Sequence, residues 1–184
     1  MKILLHTCCG ICAGHCVAEL LAQGHEPTLF YSNANIAPHE EFEKRLVAVK
    51  KLAEHFGVPV IVDVPDHRDW LEKVAKGFEN EPERGARCPR CFNYSLARAA
   101  NCARERGFDA FTTTLTVSPH KFSPTIFVIG KSIDGNTFLE IDFKKKDGFK
   151  DTNAIARSLE LYRQQYCGCE FSLRDVLKSR RERE

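Results

Sequence analysis

Short apolar runs rich in branched and aromatic residues alternate along this chain with longer stretches of helical periodicity, and that alternation restricts the fold more than anything else. The runs are KILLH (2–6), PTLFYSN (27–33), PVIVDV (59–64), AFTTTLTV (110–117) and FLEIDF (138–143). Each has the length and composition of a strand. The stretches CAGHCVAELLAQG, PHEEFEKRLVAVKKLAEHFG and PRCFNYSLARAANCARERG close on Gly24, Gly57 and Gly107, residues suited to the left-handed position that ends a helix. Strands joined through helices run parallel, with helices packed on both faces. The expectation is a single-domain α/β protein spanning residues 1–184. Its core would be a doubly wound, mainly parallel, five-stranded Rossmann-like sheet. At 184 residues and 43% hydrophobic, the chain can bury one core and is short for two.

Other segments are less regular. DHRDWLEKVA (66–75) reads as a helix and GFENEPERGA (77–86) as an exposed loop. A last helix is expected from about Thr152 to Tyr166, with Leu159 and Tyr162 on its inner side. The tail KSRRERE (178–184) reads as frayed. The opening MKILLHTCC has too short an apolar stretch for a signal peptide, and no run approaches a membrane span, so a cytoplasmic protein with no membrane partner is expected.

Nine cysteines are too few for a disulfide scaffold and odd in number, and in a reducing compartment they point to metal or redox chemistry. They are grouped. Cys8, Cys9 and Cys12 lie in HTCCGIC, directly after the first strand, where a doubly wound sheet opens its ligand crevice. Neighbouring cysteines cannot easily bond to each other, so Cys8 and Cys9 must look elsewhere for partners. Cys88 and Cys91 form C-P-R-C at a predicted helix start, which favours thiolates converging on one site. Cys8, Cys9, Cys88 and Cys91 together would supply the four thiolates of an iron–sulfur cluster or a structural zinc. Two adjacent thiolates suit a cluster better than a single tetrahedral ion. Cys12 is open between a spare ligand for a second metal ion and a structural role. Cys167-Gly168-Cys169 can close a strained, reducible disulfide or donate two thiolates. Cys16 and Cys102 sit in amphipathic stretches as core filler.

No pair of the seven histidines has zinc spacing, and His6, pressed against the cysteines, reads as a core residue. Asp142, at the end of the fifth run, is a candidate hard ligand or proton donor. Net charge is only +2, so any basic patch is local. Arg84, Arg87 and Arg90 surround the C-x-x-C, and Lys144, Lys145, Lys146 and Lys150 follow the fifth run. Both sets fall on the expected crevice rim, where they read either as solvated charge runs, the commoner case, or as a dock for a phosphate-rich substrate such as RNA.

The motifs HTCCGIC, NANIAPHEEFEKR, RCPRCFNYSLARAA, FTTTLTVSPHK, DFKKKDG and LYRQQYCGCEFS, in this order over almost the whole chain, resemble the cobalamin-independent epoxyqueuosine reductase family, QueH. Gly10-Ile11 stands where the family often has Ala-Pro. The resemblance implies a HUP-like, adenine-nucleotide-hydrolase-like α/β fold and the last step of queuosine biosynthesis. In that step the epoxide on a modified 7-deazaguanine in the tRNA anticodon is reduced to an alkene, its oxygen leaving as water. It also implies a 4Fe-4S cluster on Cys8, Cys9, Cys88 and Cys91 and a second, mononuclear iron with Cys12 and Asp142 as candidate ligands. Cys167 and Cys169 become a redox-active pair, and an electron donor the sequence does not identify is required. Arg87, Arg90, Thr113, Ser118, Lys121, Lys144 and Lys145 become candidate substrate or tRNA contacts, and neither cobalamin nor ATP is expected. Two other readings compete. An adenylating iron–sulfur tRNA thiolase would need a Gly/Ser-rich pyrophosphate loop after the first strand, where this chain has HTCCGIC. A zinc-stabilised tRNA-binding module would leave the cysteines beyond four unexplained.

Overall fold

The computed structural model describes residues 1–183. Strands β1 (Lys2–His6), β2 (Glu26–Ser32), β3 (Val60–Asp63) and β4 (Ala110–Thr113) form a parallel sheet in the order β3-β2-β1-β4. The chain winds outward from β1 through β2 to β3, then returns to the other side of β1, so the winding reverses between β1 and β4. Ligands of such sheets bind at that reversal, beyond the carboxyl ends of the strands.

Ile3, Leu4 and Leu5 are all fully buried, as expected of a central parallel strand covered on both faces. Successive side chains alternate in direction. Ile3 and Leu5 pack with Leu29 and Tyr31 under helices α1 (Gly10–Ala22), α2 (His39–Phe56) and α6 (Gly148–Ser158). Leu4, Phe30 and Phe111 pack under α4 (Arg87–Glu105) and α5 (Ser123–Asp134). Gly24, Gly57 and Gly107 all have positive φ, as the helix-closing positions require.

Four strands form where five were expected. The 138–143 run contributes one parallel bridge, Phe111 to Phe138. Pairing starts normally, with Leu139 N donating to Phe111 O at 2.9 Å. It is then diverted: Thr112 Oγ1 donates to Leu139 O at 2.9 Å and Thr116 Oγ1 to Ile141 O at 2.8 Å, so threonine side chains occupy carbonyls that a ladder would use. The fourth run stops being a strand at Thr113, whose Oγ1 accepts from Leu115 N and caps a 3-10 turn over Thr114–Val117.

The helix expected over 152–166 is instead α6, displaced toward the N-terminus. Beyond it Leu161 is buried, while Tyr162 is exposed. The 66–75 helix is present as α3 (His67–Trp70) running into a π turn, Leu71–Ala75. Two helices have no counterpart in the sequence reading: α5 and α7 (Glu170–Arg181). Residues 178–181 therefore belong to a helix rather than a frayed tail. Residue 184 lies outside the described residues. No helix among the described residues is long and apolar enough to cross a membrane.

Candidate active site

The first thiol group is made by the turn from β1 into α1. Cys9 is the N-cap of α1 and its Sγ accepts from Cys12 N at 3.4 Å, the role a serine or aspartate oxygen usually plays. A Cβ at Gly10 would stand 2.7 Å from the Ala48 backbone, so α1 touches α2 through a glycine and the turn is held tight. The outcome is that the Sγ atoms of Cys8, Cys9 and Cys12 lie within 4.8 Å of one another. Contacts from the Cys12 and Cys8 thiols hold Cys9 well below the usual thiol range, with Arg45 assisting, while the same contacts hold Cys12 well above it. Gln164 Nε2 donates to Cys9 Sγ at 2.9 Å. Cys8 is tied to the 3-10 turn that follows β4 through Thr114 Oγ1, which accepts from Cys8 N at 3.3 Å.

The second group gathers around the start of α4. Cys88 Sγ accepts from Arg84 N at 3.2 Å. Cys91 packs with Ala34, Trp70, Val74, Ala75 and Cys169. Burial pushes both thiols up, so desolvation outweighs the helix end that was expected to favour their thiolates. Cys169 is the N-cap residue of α7. Gly168 has φ 145°, and a Cβ there would lie 2.8 Å from Asn35 Nδ2, so only glycine fits between Cys167 and Cys169. The bend is fixed from α2. Arg45 donates to Cys167 O at 2.8 Å and Tyr166 O at 3.0 Å, while its Nε pairs with Glu41 at 2.7 Å.

Both groups face one cleft of about 800 Å³, lined by Cys8, Cys12, Cys91 and Cys167. Lys121 lines it too, and its Nζ donates to Cys167 Sγ at 3.2 Å. His6 contributes a buried Nε2 without a hydrogen-bond partner, while its Nδ1 lies 2.9 Å from Thr113 Oγ1.

The remaining expected site residues divide. Ser118 and Lys121 line the cleft. Thr113 is fully buried behind His6. Arg87 is turned inward, donating to Phe78 O and Glu81 O at 2.7 Å each and lying over the Phe171 ring, so it is a structural pin rather than a rim contact. Arg90 holds the carbonyls of Val74 and Lys73. Lys144 Nζ donates to the carbonyls of Thr116 and Lys121. Asp142 accepts from Ser123 Oγ at 3.0 Å and is not among the cleft-lining residues. Lys145 is exposed. Cys16 is core filler as expected, its thiol donating to Cys12 O. Cys102 is half-buried against the α4 face of the sheet. Sequence reasoning passed over Arg45 and Gln164. The one hint was an arginine four residues after Glu41 on the face of α2 that carries Phe42 and Leu46.

The model of a protein family described as epoxyqueuosine reductase QueH matches residues 3–175. Among curated proteins, one named epoxyqueuosine reductase QueH from Haemophilus influenzae is 37% identical over 98% of this chain and 75% of its own. Another of that name from Thermotoga maritima is 37% identical over 93% of this chain and 90% of its own. A solved structure described as a predicted subunit of a tRNA methyltransferase from Methanocaldococcus jannaschii superposes with a TM-score of 0.58 at 14% identity. It covers 98% of this chain and 88% of that one, and shows a shared fold.

Proposed function

The chain belongs to the epoxyqueuosine reductase QueH family, and from that premise we propose that it is an oxidoreductase converting epoxyqueuosine in tRNA to queuosine. The observation that carries the reading beyond family membership is the convergence of Cys8, Cys12, Cys91 and Cys167 on one cleft at the β1/β4 reversal. Removing the epoxide oxygen as water consumes two electrons and two protons. No arrangement of ordinary side chains delivers single electrons, so the reaction needs a redox group.

The donor set fits one. Three thiols lie within 4.8 Å of one another and Cys91 lines the same cleft, soft sulfur donors of the kind iron–sulfur groups take. In this reading Cys8, Cys9, Cys88 and Cys91 would hold a 4Fe-4S cluster, and Cys12 would be a ligand for a second iron. When bound, such a group supplies single electrons and a Lewis acid for C–O cleavage. The chain's own residues do the rest. Gln164 Nε2 donates to the Cys9 sulfur and Thr114 Oγ1 to the Cys8 sulfur at 3.5 Å, which orients both. His6 and Lys121 present N–H groups to the cleft, where the departing oxygen gains negative charge. Phe92 and Tyr166 line the same cleft and offer ring faces to a base splayed from an anticodon loop. Cys167 and Cys169 form a dithiol/disulfide couple that passes electrons inward from an external donor. Ser118 lies at the pocket wall, and the exposed Arg84 and Lys145 meet tRNA phosphates. Arg87, Arg90, Thr113 and Lys144 keep these segments in place, and Asp142 holds the loop that carries Lys144.

The test is chemical and enzymatic together. Protein purified without oxygen should contain about four acid-labile sulfides with at least four irons, show a brown absorption bleached by dithionite, and convert epoxyqueuosine to queuosine in tRNA digests read by mass spectrometry. One zinc, no sulfide and no conversion would replace the reductase with a zinc-stabilised tRNA-binding module.

A further inference from the structure

Cys167 and Cys169 are two residues apart but live in opposite surroundings. Cys169 is 8% exposed and packs with Trp70, Val74, Ala75 and Cys91. Cys167 lines the cleft, and its sulfur meets the Lys121 ammonium at 3.2 Å. Lys121 is itself enclosed: its Nζ sits 5.5 Å from the centre of the Phe92 ring, and its carbonyl is held by Lys144 Nζ at 3.0 Å. A half-buried cation touching one sulfur of a pair stabilises negative charge developing on that sulfur in preference to the other.

We propose that Lys121 is a positioning residue that makes Cys167 the reacting sulfur of the Cys167/Cys169 couple, leaving Cys169 as its buried partner. The inference rests on the reading of these two cysteines as a dithiol/disulfide couple. In the recharging step a thiolate of an external dithiol reductant attacks Cys167 Sγ. The Cys167–Cys169 bond breaks, and Cys169 leaves as a thiolate and takes a proton. The reductant's second thiol then attacks its own sulfur in the mixed disulfide and loses its proton to solvent. Cys167 is released as an anion beside Lys121, and the reductant departs as a disulfide. Two electrons have entered the protein. Burial of Cys169 decides the first exchange, because an external thiolate reaches only Cys167; Lys121 draws the incoming anion toward that sulfur and supports Cys167 as the group that leaves in the second exchange.

The experiment compares anionic iodoacetate with neutral iodoacetamide, each at limiting concentration, on the full-length reduced protein without oxygen and with its metal content as isolated. One tryptic peptide, Gln164–Arg174, carries both cysteines, and fragmentation tells them apart. Cys167 should be modified before Cys169, and iodoacetate should be favoured at Cys167. Lys121→Met should lower the iodoacetate-to-iodoacetamide ratio at Cys167 about tenfold, the loss of one nearby cation's attraction for the anionic reagent, and Lys121→Arg should restore most of it. Lys121→Gln keeps a donor without the charge and should behave as methionine does, which guards against a methionine variant that fails to fold. Cys169 reacting first, or a ratio unchanged in both neutral variants, would overturn the inference. Turnover of epoxyqueuosine tRNA by Cys167→Ser would instead overturn the redox-couple reading, an outcome separate from the labelling ratio, which reports on Lys121 alone.

Discussion

Replacing Arg45 by methionine should be among the most damaging single changes outside the cysteines. The arginine is 2% exposed and its Glu41 partner 7%. Its three nitrogens are all committed, to Glu41, Cys167 O and Tyr166 O. Methionine keeps most of the volume, so little of the effect comes from a cavity. What is lost is charge compensation: breaking one partner of a buried ion pair costs about 3–5 kcal/mol. Tyr162 still donates to Glu41 Oε2 at 2.7 Å, which argues for the lower part of that range. In a chain of this size each kcal/mol moves the melting temperature about 2–4 °C, so a fall of about 6–12 °C is expected. Urea titration and thermal melts at matched metal content would measure it, and hydrogen exchange should show residues 166–169 opening faster. Because an unpaired carboxylate is the main penalty, Arg45→Met combined with Glu41→Met should recover part of the loss. A melting temperature lowered by less than about 2 °C, or a double variant no better than the single, would refute the view that this pair anchors the Cys-Gly-Cys bend.

Replacing Gly168 by alanine forces a side chain into φ 145° and against Asn35. It should cost about 1–3 kcal/mol in urea titration and depress turnover while iron content is unchanged. Cys88→Ala or Cys91→Ala should remove most cluster iron, whereas Cys167→Ala or Cys169→Ala should stop turnover and spare it, both read by metal and sulfide analysis beside the tRNA assay. Burial holds the His6 imidazole below its ordinary value of 6.5, so the unfolded chain binds a proton that the folded one refuses. Stability should therefore fall as pH drops below about 6.5, by at most about 1.4 kcal/mol per unit, and His6→Gln should flatten that slope in urea titrations between about pH 7 and pH 5.

The regular parts of the fold were legible because they follow from local pattern. Ile3, Leu4 and Leu5 form an unbroken apolar run since both sheet faces are covered, and Gly24, Gly57 and Gly107 stand where helices need positive φ. The fifth strand was misread because its outcome was decided by Thr112 and Thr116, side chains that had to be neighbours in space before they could take its carbonyls. Helix α7 was missed because its N-cap is a cysteine and its sequence ends in charges, neither of which signals a helix start. The candidate site was legible as a set of cysteines and not as a geometry. Spacing could not reveal that Cys12 joins Cys8 and Cys9, since that depends on the thiol cap at Cys9 and the contact of Gly10 with Ala48. Nor could it mark Arg87 as buried, because a basic residue beside a C-x-x-C reads the same whether it faces phosphate or Phe78 O.

The contact between Gln164 and Cys9 joins residues 155 positions apart, and Arg45 reaches Cys167 across 122. A chain made from its amino end outward therefore produces its first three thiols early and covers them last, when the segment carrying Gln164 folds back. Until then Cys9 lacks the Gln164 donor that the folded chain gives it, so its sulfur meets whatever reagents the solution holds before the far end of the sequence can answer them.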